Sequence, residues 1–159
     1  MTPQGLAARP AMDEAAFRAA RGAANPQPCV FEKALLARCA GCGIAVRHAL
    51  AEREAIACSS PVARTNCDTL LAMLRERSAF ALKLQPGAPL PHAVTMKLQC
   101  GGLRGLQQAV DFEEEDVHRL VVAARERHEG LAHLPWPAIV ATVVAWHGRR
   151  RQPHAKSKP

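Results

Sequence analysis

The sequence predicts an all-α fold, a small irregular bundle of about five to six helices with a cysteine-lined metal site. Three observations predict it. Ala, Leu, Glu and Arg are abundant, whereas Tyr is absent and Phe and Trp together number six, a composition that favours helix over strand. Apolar residues recur at helical spacing through most of the chain. Six cysteines all fall between residues 29 and 100, several of them on the apolar stripes of those expected helices.

A chain of 159 residues, 48% hydrophobic and 22% charged, is the size of one ordinary domain and has the composition of a packed one. No period of 20–50 residues repeats, which sets aside solenoids and propellers. The expected organisation is a loose N-terminal arm over 1–10, a single helical domain over 11–148 and a basic disordered tail over 149–159.

Within the domain, 11–21 reads as a short helix with Asp13 and Glu14 near its positive end, and the segment GAANPQP over 22–28 breaks it. From Cys29 to residue 41, Phe31, Leu35, Cys39 and Cys42 fall on one helical face at steps of four, four and three. Gly41 and Gly43 stop that helix, and IAVRHALAEREAIA over 44–57 reads as the next; one long helix over 29–57 is the competing view. Ser59, Ser60 and Pro61 mark a helix start, because a serine side chain caps free N–H groups and proline is tolerated in the first turn. That helix is expected to run to Leu84, with Cys67 facing the core.

Three prolines over 85–91 force a reversal. A helix carrying Cys100 is expected over 92–109, where Gly101, Gly102 and Gly105 let a backbone or a cofactor approach closely. Glu113, Glu114, Glu115 and Asp116 are expected to open a helix reaching His128, ended by Gly130. Pro135 and Pro137 bracket a turn before a short apolar helix over 138–146.

The formal net charge is +7, but Arg149, Arg150, Arg151, Lys156 and Lys158 supply five positive charges in the last eleven residues. The body is close to neutral and poor in aromatics, so a nucleic-acid face is excluded and the tail alone offers weak, salt-sensitive attraction to a polyanion. No secretory hydrophobic core is seen near Met1, and the longest apolar run, over 136–146, is about half of the ~20 residues that span a bilayer. A cytoplasmic protein without a membrane span is expected.

Thiols in such a compartment are kept reduced, so the six cysteines read as ligands rather than as three disulfides. Their spacing is Cys29-x9-Cys39-x2-Cys42-x15-Cys58-x8-Cys67-x32-Cys100. The preferred ligand set is Cys39, Cys42, Cys58 and Cys67, with Cys29 and Cys100 as further candidates. Cys39 and Cys42 form an i, i+3 pair, and Cys58 and Cys67 lie beside a helix N-terminus that favours thiolate. One geometric difficulty attends this set: two antiparallel helices over 29–41 and 44–57 would hold Cys42 and Cys58 ~20 Å apart. That arrangement would instead gather Cys29, Cys58 and Cys67, with Cys100 returning to them.

Structural zinc sites usually present two close cysteine pairs, whereas iron–sulfur clusters accept single cysteines from several helices. An iron–sulfur cluster, of the 4Fe–4S kind, is therefore expected ahead of zinc, and packing alone is the bland alternative for each cysteine. The seven histidines show no HExxH or paired spacing. Cys100, among glycines, has no base nearby in sequence and reads as packing or ligation rather than as a nucleophile. The expected function is electron transfer or redox sensing with a redox or assembly protein as partner, and no catalytic activity of its own. Two alternatives are a zinc-stabilised interaction module whose basic tail meets nucleic acid or protein, and a metal-free helical adaptor.

Overall fold

The computed structural model describes residues 15, 16, 18, 19, 25 and 27–148; the expected arm over 1–10 and tail over 149–159 lie outside them. Ala15, Ala16, Arg18 and Ala19 are helical. The all-α expectation is overturned. Residues 44–57 do not form a helix but an antiparallel hairpin of β1 (Ala45–Leu50) and β2 (Arg53–Cys58), in a register from Ala45↔Cys58 to Leu50↔Arg53. The fold is a mixed α/β one.

The reason is tertiary. Helix propensity amounts to a few tenths of a kcal/mol per residue, whereas an unpaired buried backbone group costs about 1–3 kcal/mol. The outer edge of β2 is engaged at Ile56 and Cys58 by the segment before it and by Glu32. Cys29 N donates to Ile56 O at 2.8 Å, Cys58 N donates to Gln27 O at 2.9 Å, and the Asn25 side chain donates to Ile56 O at 3.1 Å. Ile56 N donates in turn to the Glu32 carboxylate at 3.3 Å. Ala55 and Ile56 are buried, which anchors the strand to the core and overrides the helical bias of its Ala, Glu and Arg residues.

Helix α1 (Glu32–Leu36) is shorter than the expected 29–41. It ends in a Schellman turn: Cys39 N donates to Ala34 O at 3.0 Å and Arg38 N to Leu35 O at 3.1 Å, with Arg38 in the left-handed region at φ 59°. Helix α2 (Pro61–Ser78) starts where Ser60 and Pro61 direct, the Ser60 hydroxyl accepting from Ala63 N at 3.2 Å. It ends at Ser78, before the expected Leu84, and buries Ala63, Leu70, Leu74 and Ser78.

The expected helix over 92–109 is continuous but not uniform: α3 (His92–Met96) passes through a π-helical turn, Lys97–Gly101, into α4 (Gly102–Val110). Helix α5 (Val117–Arg127) is capped by Asp116, whose carboxylate accepts from Arg119 N at 3.0 Å, so the acids of 113–116 precede the helix rather than open it. After Gly130 and a short 3-10 turn, Leu131–His133, α6 (Trp136–Ala145) closes the chain over α4. The approach is close: a Cβ on Gly101 would lie 3.0 Å from Val143 Cα, and one on Gly105 would lie 3.1 Å from Ile139 O. These glycines admit a neighbouring backbone, not a cofactor.

The core gathers Phe31 and Leu35 from α1, Ile56 from β2, Leu70 and Leu74 from α2, and Leu106, Ile139 and Val143 from α4 and α6. The hairpin packs on α1 and α2 at one side of this core. Among the described residues, no helix is long and apolar enough to cross a membrane.

Candidate metal centre

The hairpin decides where the cysteines go. Cys58 ends β2 and faces Ala45 across the ladder, and Cys42 lies three residues before Ala45, its carbonyl accepting from Ala45 N at 3.2 Å. The two cysteines that a pair of long helices would have held far apart therefore stand at the same open end of a β-hairpin. Cys29 joins them through its backbone bond to Ile56, on the other edge of β2. Cys67 arrives from α2, where Ala63 and Arg64 lie one turn before it, at steps of four and three.

Cys29, Cys42, Cys58 and Cys67 all line one small cavity of about 20 Å³, closed by the apolar side chains of Phe31, Ile44, Ala63 and Val117. A cavity of this size has room for about one water-sized occupant. All four cysteines carry free thiols and are half-buried. The Cys58 thiol donates to Ser60 O at 3.2 Å. Arg64 and His118 are the ionisable side chains at the rim, and Arg64 is held there by its Nε donating to Pro28 O at 2.9 Å.

The electrostatics bind the four into one group. Burial pushes the Cys67 thiol up from its ordinary 9.0 to about 12, and the neighbouring sulfurs of Cys29, Cys42 and Cys58 push the same way. Burial likewise raises Cys29, against a backbone hydrogen bond from Phe31 that lowers it; Cys42 and Cys58 raise it further and Arg64 lowers it. Arg64 offsets this at Cys29 alone, and Cys67 has no cation among the causes that set its ionisation; a coordinating cation is a species that deprotonates such thiols.

Two residues of the sequence-expected grouping go elsewhere. Cys39, exposed beyond the Schellman turn, is joined to buried Cys100 in a disulfide with a Cα–Cα separation of 5.7 Å. The i, i+3 rule that placed Cys39 beside Cys42 holds on a continuous helix, and α1 ends at Leu36, before either residue. The expected cysteine-lined site is therefore not built as a closed cage on helices: among the described residues, no three of His, Cys, Asp or Glu form a ready-made group for a metal ion. What the fold provides is a shared cavity with four thiols on its wall. Cys29, only a further candidate by sequence, belongs to it. Its proximity was visible only in the alternative in which 29–41 and 44–57 fold back on each other.

Comparison with protein-family models, with curated proteins and with solved structures finds no match to this chain.

Proposed function

We propose that the protein holds an iron–sulfur cluster on Cys29, Cys42, Cys58 and Cys67 and acts in electron transfer or redox sensing in the cytoplasm. The observation that carries this reading is the convergence on one cavity of four free thiols from four separate stretches of chain.

The donor set favours a cluster over a single zinc. Structural zinc sites are typically built from close cysteine pairs, and the one C-x2-C pair of this chain is split, Cys39 being bonded to Cys100 while Cys42 faces the cavity. Four isolated cysteines, each able to ligate a different iron, match the donor set of a cluster, and a cavity of about 20 Å³ has to open between the hairpin and α2 to admit one. The cluster supplies the one-electron chemistry. The chain's part is to hold the sulfurs, to set the local polarity through Phe31, Ile44 and Val117, and to place the Arg64 guanidinium against the negative charge that a thiolate-ligated centre carries. Half-burial of all four cysteines leaves the centre near the surface, within reach of a redox or assembly protein. The tail residues Arg149, Arg150 and Arg151 add a weak attraction to polyanions.

Purification without oxygen tests this. A brown protein containing iron and acid-labile sulfide is the expected product; a colourless protein with one zinc per chain replaces the cluster by the zinc-stabilised module, and one without metal leaves the helical adaptor reading.

A further inference from the structure

The Cys39–Cys100 pair lies away from the four-thiol cavity, at an open cleft of about 610 Å³ between the end of α1, the π-helical turn and the residues after α6. We infer that this cleft is a thiol–disulfide exchange site for a small anionic thiol of the glutathione class, an activity independent of the metal-centre reading.

Four observations converge. The two sulfurs differ in access: Cys39 is exposed and Cys100 is only 3% exposed, at the base of the cleft. Exchange chemistry uses such asymmetry, because the incoming thiolate attacks the reachable sulfur and the buried one leaves. The cleft carries two guanidinium groups, Arg38 and Arg104, against one carboxylate, Glu115, so its field favours an anion. Arg104 lies one turn beyond Cys100 on the same helical run, where its charge stabilises the departing Cys100 thiolate. Finally, Cys100 sits in the π-helical turn Lys97–Gly101, a distortion found frequently at functional sites. The turn is held by its neighbours: Lys97 Nζ donates to Val144 O at 2.8 Å and to Trp146 O at 2.9 Å, and Gln99 Oε1 accepts from Ala34 N at 3.0 Å. The volume is that of a small-molecule site, which favours a low-molecular-weight thiol over a protein dithiol.

The reaction balances without further reagents. A thiolate RS⁻ attacks Cys39 Sγ and the Cys39–Cys100 bond breaks. The electron pair leaves on Cys100, which takes up the proton that RSH gave away, and RS–S–Cys39 remains. A second RS⁻ attacks the R sulfur, releasing RS–SR and the Cys39 thiolate. Two thiols are oxidised to one disulfide and the protein disulfide is reduced to two thiols; run backwards, the same steps re-form the protein disulfide at the expense of RS–SR.

The test uses the full-length protein as purified, read by peptide mass spectrometry at Cys39 and Cys100 so that the other cysteines do not enter. Reduced glutathione is expected to open the native Cys39–Cys100 bond, and faster than cysteamine, whose ammonium group leaves its thiolate form without net charge, at equal thiolate concentration. Arg104→Ala is expected to slow glutathione by about fivefold, the factor of a unit charge near 4 Å in water, and to slow 2-mercaptoethanol by less, since that thiol loses only the stabilisation of the leaving Cys100 thiolate and not the attraction of extra carboxylates. With oxidised glutathione, Cys100→Ser is expected to trap glutathione on Cys39, while Cys39→Ser leaves Cys100 unmodified. A native bond that resists glutathione, or one that cysteamine opens as fast, overturns the inference.

Discussion

Two cysteine sites built by one short stretch of chain, 39–42, differ in nearly every physical respect. Cys42 faces a small, apolar-walled cavity with three other thiols, two of which, Cys29 and Cys67, burial holds in the protonated form. Cys39, three residues earlier, stands in an open, arginine-bearing cleft and is already bonded. The separation comes from backbone geometry: the Schellman turn at Ala37–Cys39 aims one cysteine at the π-helical turn, and Gly41, pairing its N–H with Glu115 O at 2.7 Å, carries the chain back toward the hairpin. Cysteine spacing is therefore a poor guide to ligand sets unless the intervening backbone is known.

The contrast can be broken most severely at the cavity. Cys67→Ser removes a ligand that no other described cysteine can replace in place, and metal affinity is expected to fall by at least about a hundredfold, since changes outside the ligand shell alone reach that size; competition with a chelator measures it. Without metal, Cys67 should govern alkaline stability. Its pKa is raised to about 12 in the fold from an ordinary 9.0, so the unfolded chain sheds the proton first. Stability is full below pH 9 and falls as pH rises from 9 through 12. Urea titrations across that window should show the decline in metal-free protein and not in the loaded form, where the thiol is already deprotonated.

The cleft side responds to packing. Gly101→Ala would set a Cβ 2.8 Å from Trp146 Cβ and 3.0 Å from Val143 Cα, and should cost about 1–3 kcal/mol by thermal or urea denaturation while leaving metal content unchanged. Smallest is Arg38→Gly. Relief of the left-handed φ of 59° at the helix end should raise stability by about 0.5–1 kcal/mol, yet slow opening of the disulfide by glutathione because a cation leaves the cleft. A variant that is both more stable and faster would detach Arg38 from the exchange chemistry.

Local signals in the sequence were legible where they are physically local. Ser60 and Pro61 start α2 because a cap and a first-turn proline act within a few residues, and Gly130, at φ 123°, ends the segment after α5. The hairpin was not legible. Its turn uses Ala51 at φ 56°, where Gly or Asn is the usual marker. Its strands are rich in helix-forming residues, and their edge partners lie some thirty positions upstream, at Asn25, Gln27 and Cys29. With the hairpin missed, the grouping of Cys42, Cys58 and Cys67 could be reasoned only from helix ends, and Cys39 was drawn in by a helical spacing that the short α1 does not sustain. The pairing of Cys39 with Cys100, 61 residues apart, had no sequence signal at all beyond the even count of cysteines.

The most direct measurement is the iron and acid-labile sulfide content of three proteins purified without oxygen: the unaltered chain, Cys29→Ser and Cys39→Ser. The account predicts iron and sulfide in the first and third and their loss from the second. Iron absent from the unaltered chain, or retained in Cys29→Ser and lost in Cys39→Ser, would contradict it.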